Sequence, residues 1–188
     1  MNYMFDINFD PFPTLYSDRL ILRKIIDLDF DAIFELRSNS SILKYINRPP
    51  ATKPEDVHDF MNLINVSMSN NYGINWGIAF KSDPQNLIGS IGIWKIDKEN
   101  NRGTIGYALL TEYQNQGIGH ESLEKVIQYG FKTLKLHSLE ATVNPLNEAS
   151  IRLLQKNGFV QEGYIKENHH FDGKYYDSLL FSLLNHIT

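Results

Sequence analysis

The chain has 188 residues, 42% hydrophobic and 21% charged, values that suit one well-buried core and exclude disordered or fibrous classes. Lys and Arg number 18 against 22 Asp and Glu, a formal charge of −4 that provides no basic footprint for nucleic acid. With no cysteine, disulfides, thiolate metal sites and a cysteine nucleophile are excluded together.

The first stretch, MNYMFDINFDPFPTLYSDR, carries Asp6 and Asp10 and is broken by Pro11 and Pro13, unlike a secretory signal. No apolar run approaches the roughly 18 residues needed to span a bilayer, so a soluble cytoplasmic protein without membrane contact is expected. Phe5, Phe9 and Phe12 mark residues 1–13 as an arm, either packed on the domain or free of it, and residues 14–188 as one domain. RLILRKI (19–25) alternates apolar and basic residues and predicts a half-buried strand. Residues 27–39 switch to helical spacing through Leu28, Ile33 and Leu36 or Arg37, with acidic residues in the first turn. Pro54, Glu55 and Asp56 open a second amphipathic helix with Val57, Phe60 and Ile64 on one face.

From Ile74 three strand patterns follow, INWGIAFK, NLIGSIGIWKI and RGTIGYALL, joined by SDPQN and DKENN as an antiparallel meander. Next come a glycine loop, a helix from near Gly117, a strand at 137–143, a helix at 147–157, and strands at 159–168 and 174–184 that turn at Asp172 and Gly173. The order is mixed α/β, with one strand–helix–strand crossover late in the chain.

In YQNQGIGHESLEKVIQYGF (113–131), Leu123, Val126 or Ile127, and Phe131 form a helix face, and Gly117 and Gly119 leave its start bare. Unpaired amides without a nearby Cβ suit a phosphate or pyrophosphate. A P-loop is excluded, because His120 and Glu121 follow Gly119 where Lys and Ser or Thr are required. A dinucleotide fingerprint fits poorly, because Ser122 takes the place of its third glycine and the loop follows a meander. An ordinary glycine turn into a core helix remains the alternative.

Residues 114–119, QNQGIG, resemble the Gln/Arg-x-x-Gly-x-Gly/Ala signature of the GNAT superfamily of acetyl-CoA-dependent N-acetyltransferases. DRLILRKI, LIGSIGIWKID, RGTIGYALL, NPLNEASIRLLQKNGFVQEG and FDGKYYDSLLFSLL agree in order, and together they are similar to the RimJ/RimL ribosomal-protein branch over residues 14–184. The resemblance implies a mixed α/β GNAT fold: a mostly antiparallel twisted sheet of about seven strands, splayed near its middle and flanked by about four helices. It implies acetyl-CoA as co-substrate and a primary amine as acceptor, a protein N-terminus or a small molecule, acetylated by direct attack in a ternary complex.

Carried onto this sequence, the resemblance implies that backbone of Gln116, Gly117, Ile118, Gly119 and His120 holds the pyrophosphate. Leu109, Leu110 and Thr111 would pair with the pantetheine arm, and a backbone amide there would steady the thioester oxygen. Asn147 would contact that arm, and Ser150 would stand beside the sulfur as proton donor or thiolate partner; both also suit a helix cap and first turn. His169 takes the position where some members of the branch carry a glutamate proposed as general base, and imidazole suits that work. On a strand, His169 and His170 face opposite ways, so only one reaches the cleft. Glu35, Trp76 and Tyr107 are candidates for the acceptor cleft, since an ammonium group favours a carboxylate and aromatic faces; Trp and Tyr also serve as core. Arg152 and Lys156 face either the CoA 3′-phosphate or solvent. No metal is expected, and a homodimer through an edge strand at 174–184 is an option. Two competing readings are a CoA-binding module that has lost transfer, kept open by His169 in place of glutamate, and a Rossmann-like nucleotide binder.

Overall fold

The computed structural model describes residues 7–185. Its strands form one eight-stranded sheet in the order β1-β2-β3-β4-β5-β6-β8-β7. They are β1 (Leu15–Tyr16), β2 (Leu20–Arg23), β3 (Ile74–Phe80), β4 (Gly89–Asp97), β5 (Arg102–Leu109), β6 (Ser138–Val143), β7 (Val160–Phe171) and β8 (Lys174–Leu184). The helices are α1 (Phe30–Ser38), α2 (Ser40–Leu43), α3 (Pro54–Ser69), α4 (Ile118–Gln128) and α5 (Glu148–Lys156). The sheet is mixed α/β and mostly antiparallel, as the sequence patterns predict. The added strand is the two-residue β1, too short to show alternation, and the added helix is the one-turn α2, capped by Asn39 Oδ1 accepting from the Ser41 amide at 2.9 Å.

Every neighbouring pair is antiparallel except β5 and β6, which run parallel and pair only from Arg102–Ser138 to Thr104–Glu140. Beyond Thr104 the two strands part: β5 continues along β4 to Leu109, and β6 along β8 to Val143. Strand β8 is hydrogen-bonded to β6 on one side and β7 on the other, so the expected edge at 174–184 lies inside the sheet and β7 is the edge. The β7–β8 hairpin turns through Asp172 (φ 48°) and Gly173 (φ 71°), the left-handed pair a tight hairpin needs.

One face of the sheet packs α4 and α5 over a core that includes Leu20, Leu22, Ile74, Trp76, Ile91, Leu123, Val126 and Phe181. The described part of the N-terminal arm joins this core through buried Ile7 and Phe9, and Phe12 meets the Trp76 ring edge-on at 6.3 Å; Phe5 lies outside the described residues. The other face packs α1 and α3 through Ile33, Leu36, Val57, Phe60, Met61 and Ile64. Leu28, expected on that buried face, is 83% exposed, because residues Asp27–Asp29 form a 3₁₀ turn and α1 starts only at Phe30. Among the described residues no helix is long and apolar enough to cross a membrane.

Asp29 has a different role from the helix-dipole partner that its first-turn position suggests. Its carboxylate, 2% exposed, receives both Arg23 terminal nitrogens at 2.8 and 2.7 Å and the Ile26 amide at 2.8 Å. The Arg23 Nε donates to the Pro84 carbonyl at 2.5 Å, so one guanidinium joins β2, the entry to α1 and the β3–β4 loop. Removing one partner of such a pair leaves a buried charge uncompensated, at a cost of about 3 kcal/mol or more. Asp29→Asn is expected to lower unfolding free energy by about 3 kcal/mol in urea denaturation.

Candidate active site

After β5 the chain makes a 3₁₀ turn at Thr111–Tyr113, passes Asn115 (φ 60°), and enters α4 through Gly117, whose φ of 78° is left-handed. Gly117 is the N-cap and offers no side chain to the helix end. The first helical bond runs from the Glu121 amide to the Gly117 carbonyl at 3.1 Å, so the amides of Ile118, Gly119 and His120 have no acceptor within the helix. The Ile118 side chain is fully buried and anchors this end, while a Cβ on Gly119 would lie 3.2 Å from Leu153 of α5.

The loop is tied to β2. The Arg19 Nε donates to Glu121 Oε2 at 2.8 Å, and the Arg19 amide and Ser17 hydroxyl both donate to Glu121 Oε1, at 2.8 and 2.7 Å. The Arg19 Nη2 reaches the Gln116 carbonyl at 3.2 Å, inside the loop itself. Burial pushes the Glu121 carboxyl upward in pKa, but these bonds and the Arg19 charge outweigh it and hold the group below its ordinary value.

A cleft of about 780 Å³ opens where β5 and β6 part. Tyr107 stands on β5 beyond the last paired residue, and its hydroxyl lies 2.6 Å from Ser150 Oγ on α5. Burial raises the Tyr107 pKa to about 12, a shift opposed by the Ser150 bond, so the phenol keeps its proton at neutral pH. Asn147 caps α5, its Oδ1 accepting from the Ser150 amide at 3.1 Å, and so fixes the backbone that carries the hydroxyl.

Across the cleft, His169 Nε2 lies 2.9 Å from the Asn47 carbonyl. A carbonyl only accepts, so Nε2 carries the hydrogen and Nδ1 is the ring's proton acceptor. Strand β7 has two more residues than β8 between the pairs Ile165–Ser178 and His169–Tyr176, with Glu167 at φ 50°. Asp177 holds this bulge, accepting from the Glu167 amide at 2.8 Å and from the Tyr164 hydroxyl. The bulge re-aims His169 toward the cleft while His170 stacks on Tyr175 at 4.8 Å.

The wall of the cleft away from α4 and α5 is formed by α1, α2, the loop after it and Trp94. A Cβ on Gly106 would lie 2.6 Å from the Trp94 Nε1, so the indole lies directly on the glycine backbone. Phe60 packs on Trp94 at 5.7 Å, and the Arg37 guanidinium lies 4.0 Å from the Phe60 ring centre. Arg48 Nη2 donates to the Leu36 carbonyl at 3.2 Å.

The cleft thus gathers Leu109, Gly117, Gly119, His120, Asn147, Ser150, Tyr107 and His169. His120 Nδ1 sits 3.0 Å from Asn157 Oδ1, and Arg152 and Lys156 also line the cleft, with Arg152 paired to Glu148 at 2.9 Å. Other candidates lie elsewhere. Trp76 is fully buried among core rings and donates from Nε1 to the Pro13 carbonyl at 2.6 Å, so it does not line the acceptor cleft. Glu35 is exposed on α1 beside Asn39 and outside the cleft lining. The Leu110 side chain is buried and its amide already donates to the Ile88 carbonyl at 3.0 Å, which removes it as an oxyanion donor. Gln116 and Thr111 are exposed, and the Gln116 side chain turns back to the Glu112 carbonyl at 2.6 Å. Tyr107, a candidate for the acceptor cleft, lines the cleft with its hydroxyl on Ser150 Oγ at 2.6 Å. Arg48 carries no periodic or motif signal; Arg37 and Trp94 fall in segments with one, but nothing in it marks them as cleft residues. Among the described residues no group of three or more His, Asp or Glu is placed to hold a metal ion.

Residues 19–160, which include β2, the glycine loop and α5, match the family model described as an acetyltransferase (GNAT) domain. The chain belongs to the GNAT acetyltransferase family. It is an acetyl-CoA-dependent N-acetyltransferase by that membership. A similar GNAT protein is the uncharacterized N-acetyltransferase YoaA of Bacillus subtilis, 36% identical over 173 residues, covering 92% of this chain and 97% of YoaA. Among solved structures, a GNAT-family acetyltransferase from Bacillus anthracis superposes with a TM-score of 0.80 at 29% identity, covering 92% of this chain and 98% of that one. The GNAT fold is shared by a Vibrio cholerae spermidine N-acetyltransferase solved with CoA and spermine, with a TM-score of 0.77 at 24% identity over 88% of this chain and 95% of the other.

If Arg19 steadies the glycine loop, Arg19→Ala is expected to weaken CoA binding about tenfold by calorimetry. Because the Glu121 pKa is depressed, the clamp is complete above the unfolded carboxyl value and is lost as pH falls through the folded one. CoA affinity is therefore expected to fall in acid, and to fall less steeply in Glu121→Gln.

Proposed function

We propose that this GNAT enzyme transfers the acetyl group of acetyl-CoA directly to a primary amine, with Ser150 and His169 as the catalytic side chains. The observation that carries this reading is the Tyr107–Ser150 hydroxyl pair at 2.6 Å on the parted stretch of β5, facing His169 across the cleft. The α4 amides from Ile118 to His120 take the pyrophosphate, with Gly117 and Gly119 leaving room for it. The edge of β5 near Leu109, whose carbonyl accepts from the Gln114 side chain at 3.1 Å until a ligand displaces it, takes the pantetheine amides, and Asn147 flanks that arm. Arg152 and Lys156 lie on the α5 side of the same cleft, where the 3′-phosphate would emerge.

The acceptor amine loses its proton to His169 Nδ1 as its nitrogen attacks the thioester carbonyl carbon. The new C–N bond forms, the C–S bond breaks, and the departing sulfur takes a proton from Ser150 Oγ, which Tyr107 replaces. The proton on His169 then leaves to solvent, solvent returns one to the Tyr107 phenolate, and the products are the acetamide and free CoA. The absence of cysteine from the sequence supports direct attack over a cysteinyl-acyl intermediate. The RimJ/RimL-like motifs support a protein N-terminus as one source of the amine, and a small molecule is the other.

A CoA-release assay with acetyl-CoA, a panel of small amines and short peptides tests the reading; the absence of turnover together with the absence of CoA binding would overturn it. His169→Ala is expected to lower kcat/KM on the order of 100-fold with CoA affinity unchanged. Ser150→Ala is expected to lower kcat by about tenfold or more with little change in acceptor KM, and Tyr107→Phe less, since Ser150 keeps its own hydrogen. Asp177→Ala, which frees the bulge under His169, is expected to reduce kcat with CoA affinity retained.

A further inference from the structure

One end of the cleft holds two guanidinium groups that are not within ion-pair distance of any carboxylate among the described residues. Arg37 and Arg48 both line the cleft, and neither forms an ion pair among the described residues. The Nε of each is shielded from solvent and has no hydrogen-bond partner. Arg48 makes one side-chain bond, to the Leu36 carbonyl, and Arg37 rests on the Phe60 ring. Asp56 is close enough to favour the Arg37 charge but is itself tied to the Thr52 and Lys53 amides at the start of α3. Asp177, the one carboxylate among the described residues lining the cleft, is bound to the β7 bulge.

Burying a cation without a counter-charge is unfavourable, and a planar guanidinium has donors arranged to take an oxyanion by two bonds at once. Burial and the neighbouring Arg37 hold the Arg48 pKa down to about 10, so it remains charged at neutral pH and keeps unused donors. A cleft built for a polycation would show the opposite pattern, with carboxylates at this wall.

The wall also adjoins the reacting centre. Arg48 follows Asn47, whose carbonyl receives the His169 Nε2–H at 2.9 Å, so the two functions stand on consecutive residues. An acceptor seated there has its amine and its anion separated by few bonds.

Resting on the acetyl transfer proposed above, we infer that Arg37 and Arg48 form an oxyanion subsite and that the acceptor is an amine carrying a carboxylate or phosphate group near its nitrogen. Free amino acids, aminoalkyl phosphates and peptides with an acidic second residue share this chemistry; polyamines and simple alkylamines lack it.

The test pairs each anionic acceptor with its neutral counterpart in the CoA-release assay: amino acids against their amides, 2-aminoethyl phosphate against ethanolamine, Ser-Glu against Ser-Gln peptide amides, and spermidine alone. The expected result is a kcat/KM at least tenfold higher for the anionic member of one pair, and the pair identifies the source of the anion. Arg48→Gln and Arg37→Gln are expected to reduce that ratio about tenfold, and Arg48→Lys to restore part of it. A variant that only loosened the fold would slow both members of a pair alike and leave the ratio standing, and that outcome would overturn the assignment, as would preference for spermidine or for the neutral members. Calorimetric titration of CoA separates the two levels. Tight CoA binding with turnover of neutral amines alone sinks the anion subsite and leaves the acetyltransferase reading in place; the absence of both CoA binding and turnover sinks the latter.

Discussion

Strands β5 and β6 pair over three residue pairs and then diverge, although nothing in their sequences prevents further pairing. Each is held on its far side: β5 remains registered on β4 to Leu109, and β6 on β8 to Val143. A gap between two strands that are both fixed elsewhere cannot close without breaking one of those ladders. Beyond Thr104 the edges of β5 and β6 that face the gap are not paired with each other, and a buried peptide group needs a partner. At Leu109 the Gln114 side chain supplies one, donating to the carbonyl at 3.1 Å. The hydroxyl pair, the glycine loop and the His169 bulge all stand around this one separation.

Strand β2 and the residue before it connect the two sides of the site. Arg19, just ahead of the strand, and Arg23, at its end, act in different directions. Arg19 holds the start of α4 through Glu121 and Gln116, and Arg23 holds the entry of α1 through Asp29. The alternation of apolar and basic residues in this stretch is therefore more than a pattern of burial. Its apolar members, Leu20 and Leu22, fix its depth in the core, and its basic members fix what lies at each end.

The elements legible in the sequence were those whose signal is local. The meander, the bare start of α4, the Asn147 cap and the Asp172–Gly173 turn each follow from spacing or backbone preference within a few residues. Where tertiary context decided, local signals misled. Leu28 has helical spacing from Ile33 but lies in a turn, because the Arg23–Asp29 pair sets where α1 begins. Trp76 was a candidate for the cleft on chemistry alone, and the alternation of β3 turned it toward Tyr129 and the arm. Tyr107 belongs with Ser150, 43 positions away, a proximity that only the packing of α5 over the parted β5 creates. Arg37 and Arg48 are not marked as cleft residues by the sequence, since burial of a long polar side chain leaves no periodic trace. The chain length separating β7 from the loop after α2 likewise hides the contact of His169 with Asn47.

Trp94 is the residue at which β4 loses register with β5, between the pairs Ile93–Ile105 and Lys95–Thr104, and its indole lies where a side chain on residue 106 would have to be. The width of the cleft at Trp94 is thereby set by a position with no side chain. A methyl group at 106 would displace the indole toward Phe60 and Arg37, and a smaller residue at 94 would make room for it. Positions 94 and 106 therefore form one unit of inheritance, expected to change together in descendants of this fold that accept amines of different girth.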